Sequence, residues 1–133
     1  MTKQEIVEYW MNSASMDEST FRNLLKSSDN HWALFIGHIV VEKLLKALVV
    51  QKNKEGFVVP RSHDLLLLAE KANLEINEQR ADILDLISTF NINARYPDYK
   101  RGFYQKCTDD YTKERALEID EVIAWLKNLI QEP

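Results

Sequence analysis

Three polar side chains interrupt an otherwise apolar run, and their spacing sets the first question of chemistry. His38, Glu42 and Lys46 fall at i, i+4 and i+8 within Trp32–Val50. On a helix this stacks an imidazole, a carboxylate and an ammonium along one face. The bland reading is an ion-pair ladder, which stabilises an exposed helix by only about 0.2–0.5 kcal/mol per pair. On an apolar helix, however, such groups must find buried partners or line a cleft or an interface. Asp17 is a weaker signal: it breaks the apolar stripe Ile6, Trp10, Ala14, Phe21, Leu24, and gains interest only if it meets the seam.

Two further constellations could carry chemistry. His63-Asp64 opens a helix, whose N-terminus attracts phosphate, although Asp64 would itself repel an anion. The segment Arg95–Tyr111 interleaves Tyr96, Tyr99, Phe103, Tyr104 and Tyr111 with Arg95, Lys100, Arg101 and Lys106. It could stack bases and neutralise phosphates, or it could pack its aromatics over the end of the fold with its bases in water. There is no Gly-rich phosphate loop, no His-Glu-x-x-His helix and no Gly-x-Ser-x-Gly elbow. With three histidines and one cysteine, neither a metal site nor a cofactor is expected, and Cys107 is read as an inert thiol.

The elements that must position these residues are helical. Only three Gly and three Pro punctuate 133 residues, which favours a few long helices. Thr2 and Glu5 form a capping box for a helix over Lys3–Lys26. Asp29 or Asn30 starts a second that runs to about Lys52. Ser62 starts a short third over His63–Ala72, and Asn77 starts a fourth that Pro97 stops. Thr112 is expected to cap the last helix, whose Ala116, Ile119, Ile123, Leu126 and Ile130 recur at three and four. The run Phe57-Val58-Val59 is too short for a sheet. The expectation is a single all-α domain over 1–133, an up-down bundle of four to five helices.

An apolar fraction of 45% and a net charge of −4 describe an ordinary globular chain, and argue against a protein that coats nucleic acid or anionic membrane non-specifically. The charged groups of the second helix exclude a membrane span. The first residues lack the apolar core of a signal peptide, and a cytoplasmic location is expected.

The order of these pieces resembles the HEPN domain family. Gly37-His38-Ile39-Val40-Val41-Glu42-Lys43-Leu44-Leu45-Lys46-Ala47-Leu48 is similar to its signature second helix. Ser62-His63-Asp64-Leu65 resembles its His-Asp-Leu helix start, Ala94-Arg95-Tyr96-Pro97-Asp98 its Arg-Tyr-Pro element, and Thr112–Ala116 its final helix start. The resemblance implies a helical bundle, commonly a homodimer, with a cleft lined by polar residues of the second and fourth helices. It further implies a minimal nucleotidyltransferase as partner protein, in a toxin–antitoxin pair or as a substrate-binding subunit. Other members are ribonucleases that use an Arg followed by a His after four to six residues.

Here Arg95 keeps the arginine, but Lys100, Arg101 and Gly102 stand where the histidine would be, and all three histidines lie upstream. Cleavage through a 2′-hydroxyl needs a group that titrates near neutrality, which an arginine cannot supply. The chain is therefore read as a non-catalytic HEPN protein that binds a nucleotide or nucleic-acid-like anion such as RNA. Arg95 and Lys46 are expected to hold phosphate, Glu42 and Asp17 to orient them, and Tyr96 or Tyr99 to stack a base, with His38 in the same seam. A ribonuclease with a base displaced to His38 or His63, and a pure dimerisation module, are the competing readings.

Overall fold

The computed structural model describes residues 1–131. Six helices and no strand are found among the described residues: α1 (Lys3–Lys26), α2 (Asn30–Lys52), α3 (Leu65–Lys71), α4 (Glu78–Arg95), α5 (Pro97–Lys106) and α6 (Asp109–Gln131). No helix among them is long and apolar enough to cross a membrane.

The helix starts follow from local chemistry. The Thr2 hydroxyl accepts from the Glu5 amide at 3.1 Å, while the Thr2 amide donates to the Glu5 carboxylate at 3.0 Å, which completes the capping box. Asn77 caps α4 through the Arg80 amide. Asp64, rather than Ser62, caps α3: its carboxylate accepts from the Leu66 and Leu67 amides, and α3 starts at Leu65. Asp29 occupies the cap position of α2 without capping it, because its carboxylate takes the Ser27 hydroxyl instead.

The bundle has one helix more than the sequence pattern suggests. Pro97 does end α4, but it also supplies the first residue of α5, where its missing N–H costs nothing. The aromatic segment is thus mostly helical. Phe103 faces inward and stacks on Phe90 with centroids 5.6 Å apart, whereas Tyr96, Tyr99 and Tyr104 stay exposed. The expected cap at Thr112 is four residues late. Thr108 accepts from the Tyr111 amide, Asp109 and Asp110 occupy the first turn where the helix dipole favours acids, and Thr112 is buried inside α6.

Fourteen of the 23 residues of α2 are buried, which makes it the axis of the bundle. It contacts every other helix, α1 and α6 most extensively. Two ion pairs tie α1 to α6 over this axis, Arg22 with Asp120 and Lys127 with Glu18. The close approach of the three helices needs Gly37: a Cβ there would lie 2.8 Å from the Ile119 methyl and 3.0 Å from the Phe21 ring. Gly37→Val should therefore overpack the crossing and lower stability by about 2 kcal/mol, read as a lower urea midpoint with an unchanged slope. Gly102→Val, at an exposed position where a Cβ meets nothing within 4 Å, should leave the midpoint nearly unmoved.

Candidate functional site

The seam of α2 is built inward, not outward. Glu42 is buried and divides its carboxylate between two partners: one oxygen accepts from the Lys46 ammonium at 3.0 Å, the other from His63 Nδ1 at 2.7 Å. Lys46 is itself mostly covered and lies 5.4 Å from the centre of the Trp10 ring. His38 has no exposed surface; its Nε2 donates to the His63 carbonyl at 2.9 Å, while its Nδ1 has no partner among the described residues. His63, from the loop before α3, is thus held twice by α2, through its ring and through its backbone.

That loop is pinned from the other side as well, since the Ser88 hydroxyl of α4 accepts from the Leu65 amide. The result is a half-exposed imidazole at the mouth of a cavity of about 500 Å³. The cavity lies between the start of α3 and α4, with Asp85, Asn91 and Tyr96 among its walls.

Arg95 lies elsewhere, one helical turn beyond Asn91. Its guanidinium reaches the Asn91 side-chain oxygen Oδ1 only loosely, at 3.4 Å. It lines an open groove of about 550 Å³ together with His31, Lys100, Arg101 and Tyr104. His31 belongs to the first turn of α2 and packs its ring against Trp32 and Tyr104. Lys100 sits 4.7 Å above the Trp32 ring. Three cationic side chains and two aromatic rings therefore face one concavity, which is suited to an anion attached to a planar group.

The expected site residues thus fall into three neighbourhoods. His38, Glu42 and Lys46 form the buried support of His63. Arg95 lines the basic groove, Tyr96 the neighbouring cavity, and Tyr99 is exposed on α5 without lining either. Asp17 meets neither: its carboxylate pairs with Lys43, which also bonds the Ser13 hydroxyl, so it orients neither Lys46 nor Arg95. His38 and His63 do not reach the arginine groove; His31 does. Sequence reasoning passed over His31, although it lies seven residues before His38 and so falls on the same stripe of α2.

Burial sets the protonation of these groups. His38 has its pKa lowered, first by loss of solvent, which outweighs the help of the His63 carbonyl and of Glu42. His31 is lowered too, first by burial and then by Lys100. Burial pushes the Cys107 thiol up to about 11, which leaves it a poor nucleophile at neutral pH. No group of three or more His, Cys, Asp or Glu among the described residues could hold a metal ion.

Residues 7–129 match the family model described as HEPN domain. No curated protein and no solved structure matches the chain.

The lowered pKa of His38 has a definite sign for stability. The unfolded chain binds its proton near 6.5, whereas the folded chain holds the ring neutral, so acid favours unfolding. Stability from this group is complete above about pH 6.5 and declines as the pH falls through the folded value. The urea midpoint should therefore drop between pH 7.5 and pH 5. His38→Gln, whose amide can still donate to the His63 carbonyl but does not titrate, should show a shallower drop. An equal drop in the variant would remove His38 as the source.

Proposed function

The chain belongs to the HEPN domain family, and from that membership we propose that it binds a nucleotide or nucleic-acid-like anion in the Arg95 groove, without catalysis, as the homodimeric partner of a minimal nucleotidyltransferase. The observation that carries the ligand is the convergence of Arg95, Lys100 and Arg101 with Tyr104 and His31 on one open concavity. Guanidinium groups suit phosphate because they can donate two parallel hydrogen bonds, and Lys100 adds a point charge. The exposed Tyr104 ring offers a face to a base. A net charge of −4 disfavours non-specific attraction of polyanions to the chain as a whole, so binding would rest on this local patch. The partner protein and the homodimer follow from the family resemblance.

One observation favours a ribonuclease as the second reading. His31 lies in the same groove as Arg95, and its lowered pKa keeps it neutral, hence able to accept a proton, at physiological pH. The family's downstream histidine is missing in sequence, but an upstream one stands beside the arginine in space.

Thermal unfolding of the metal-free protein with and without millimolar ATP, GTP, AMP and short RNA, together with its solution mass, tests both. A ligand at about 100 times its dissociation constant adds about 2.7 kcal/mol of stability. We expect a dimer whose unfolding temperature rises with nucleotide, and no rise in Arg95→Ala. RNA degradation abolished by both Arg95→Ala and His31→Ala would replace this reading with the ribonuclease. A dimer that no ligand stabilises would leave an interaction module.

A further inference from the structure

The cavity beside His63 is separate from the basic groove yet adjoins it, and its polar groups have an uneven supply of free valences. His63 Nδ1 donates to Glu42, which leaves Nε2 as the ring nitrogen with no hydrogen bond among the described residues. One Asp64 oxygen is used by the Leu66 and Leu67 amides, and its other oxygen has no hydrogen bond among the described residues. The exposed Asp85 carboxylate makes no ion pair among them. The Thr89 hydroxyl spends its proton on the Leu86 carbonyl, which leaves an acceptor. Against these acceptors stand two donors. Ser88 keeps its hydroxyl proton because it accepts from Leu65, and Asn91 keeps its amide N–H₂ because its oxygen faces Arg95. Tyr96 contributes an exposed aromatic wall.

A ligand that satisfies this wall must be planar, rich in adjacent donors, and carry an acceptor beside them. Guanine meets the description: N1–H and N2–H₂ can bond one carboxylate in parallel, O6 lies next to them, and the ring has a face to stack. Adenine does not, because its unprotonated N1 would put a lone pair against the carboxylate. The register of α4 relates the cavity to the groove. Ser88 and Arg95 are seven residues apart, about 10 Å along the axis at about 1.5 Å per residue, and Asn91 lies between them. That span is comparable with the length of a 5′-nucleotide.

We propose that this cavity is a guanine site, in which Asp85 takes the N1–H and N2–H₂ donors, Ser88 and Asn91 serve O6, and Tyr96 stacks the base, while the phosphate lies toward Arg95. The proposal rests on the phosphate-binding reading of the basic groove for its second half. His63 is a positioning group at the rim, locked by Glu42.

Calorimetric titration of the full chain with GMP, IMP, AMP, guanosine and free arginine tests it. IMP differs from GMP only by lacking the 2-amino group, so the expected order is GMP tighter than IMP by about tenfold or more, with AMP weakest. Asp85→Asn, an exposed change compatible with the fold, should remove the preference for GMP. Arg95→Ala should weaken all three nucleotides alike and leave their order intact. Nucleotides that bind in Arg95-dependent fashion but with equal affinity would overturn the guanine site while the groove survives. GMP that binds through Asp85 with no effect of Arg95→Ala would support the base site and overturn the phosphate reading. Arginine that binds as tightly as GMP would assign the cavity to a protein side chain instead, and no binding by GMP or guanosine would overturn both.

Discussion

Glu42 places a carboxylate inside a helix that buries mostly hydrocarbon, and the neighbouring side chains and loop are arranged around making that tolerable. A buried charge costs several kcal/mol unless it is paired and fully hydrogen-bonded. Lys46 supplies the counter-charge from the next turn, and His63 supplies a donor from another element. The second donation is the one with consequences, because it pulls the loop before α3 onto the face of α2. His38 completes the attachment through the His63 backbone. Replacing the set by hydrocarbon could match it in stability; what hydrocarbon could not do is fix one imidazole at a defined place on the surface.

The two concavities take opposite electrostatic characters from the chain that lines them. The end of α4 and the whole of α5 bring Arg95, Lys100 and Arg101 together, and only because Pro97 restarts the helix at once. The earlier turns of α4 and the start of α3 bring Asp85 and Asp64 instead. Asn91 lies at the boundary and touches Arg95. A ligand with an anionic end and a donor-rich end would therefore be oriented by charge before any close contact forms, since its anionic end is repelled by the acidic concavity and attracted by the basic one. Like-signed lining throughout would have held a phosphate in either direction.

Much of this was legible in the sequence, and the parts that were not share a cause. The capping box at Thr2 and Glu5, the apolar continuity of α2 and the i, i+4, i+8 spacing of its polar residues are local signals, and they place α1, α2 and the seam. The pattern also sorts Arg95 and Tyr96 near the end of α4. What local pattern cannot supply is the partner across space. Nothing near Asp17 distinguishes Lys43 from Lys46, three residues apart on adjacent faces of α2; the crossing of α1 decides it. The segment after Pro97 reads as irregular because proline and a scattered aromatic set break the apolar period, yet it forms a helix that starts on Pro97 and packs Phe103 against Phe90. Thr112 looks like a cap by type, but Thr108 before two aspartates is the better one.

The same distinction between sequence and space bears on catalysis. A search for a histidine downstream of Arg95 fails, while the fold delivers His31 to the groove from the far end of α2. Presence is not sufficient, however, because a transition state is stabilised by groups fixed before the reaction begins. His63 is fixed in this sense, by a buried carboxylate on its ring and a buried histidine on its backbone. Arg95 is not: its one side-chain hydrogen bond among the described residues is a long one to Asn91, and it stands exposed at a helix end. His31 is positioned by ring packing against Trp32 and Tyr104, with no carboxylate or carbonyl bonded to either nitrogen among the described residues. The well-ordered imidazole is therefore away from the arginine, and the imidazole beside the arginine is the less constrained one. That separation suits a groove that captures an anion more than one that turns it over.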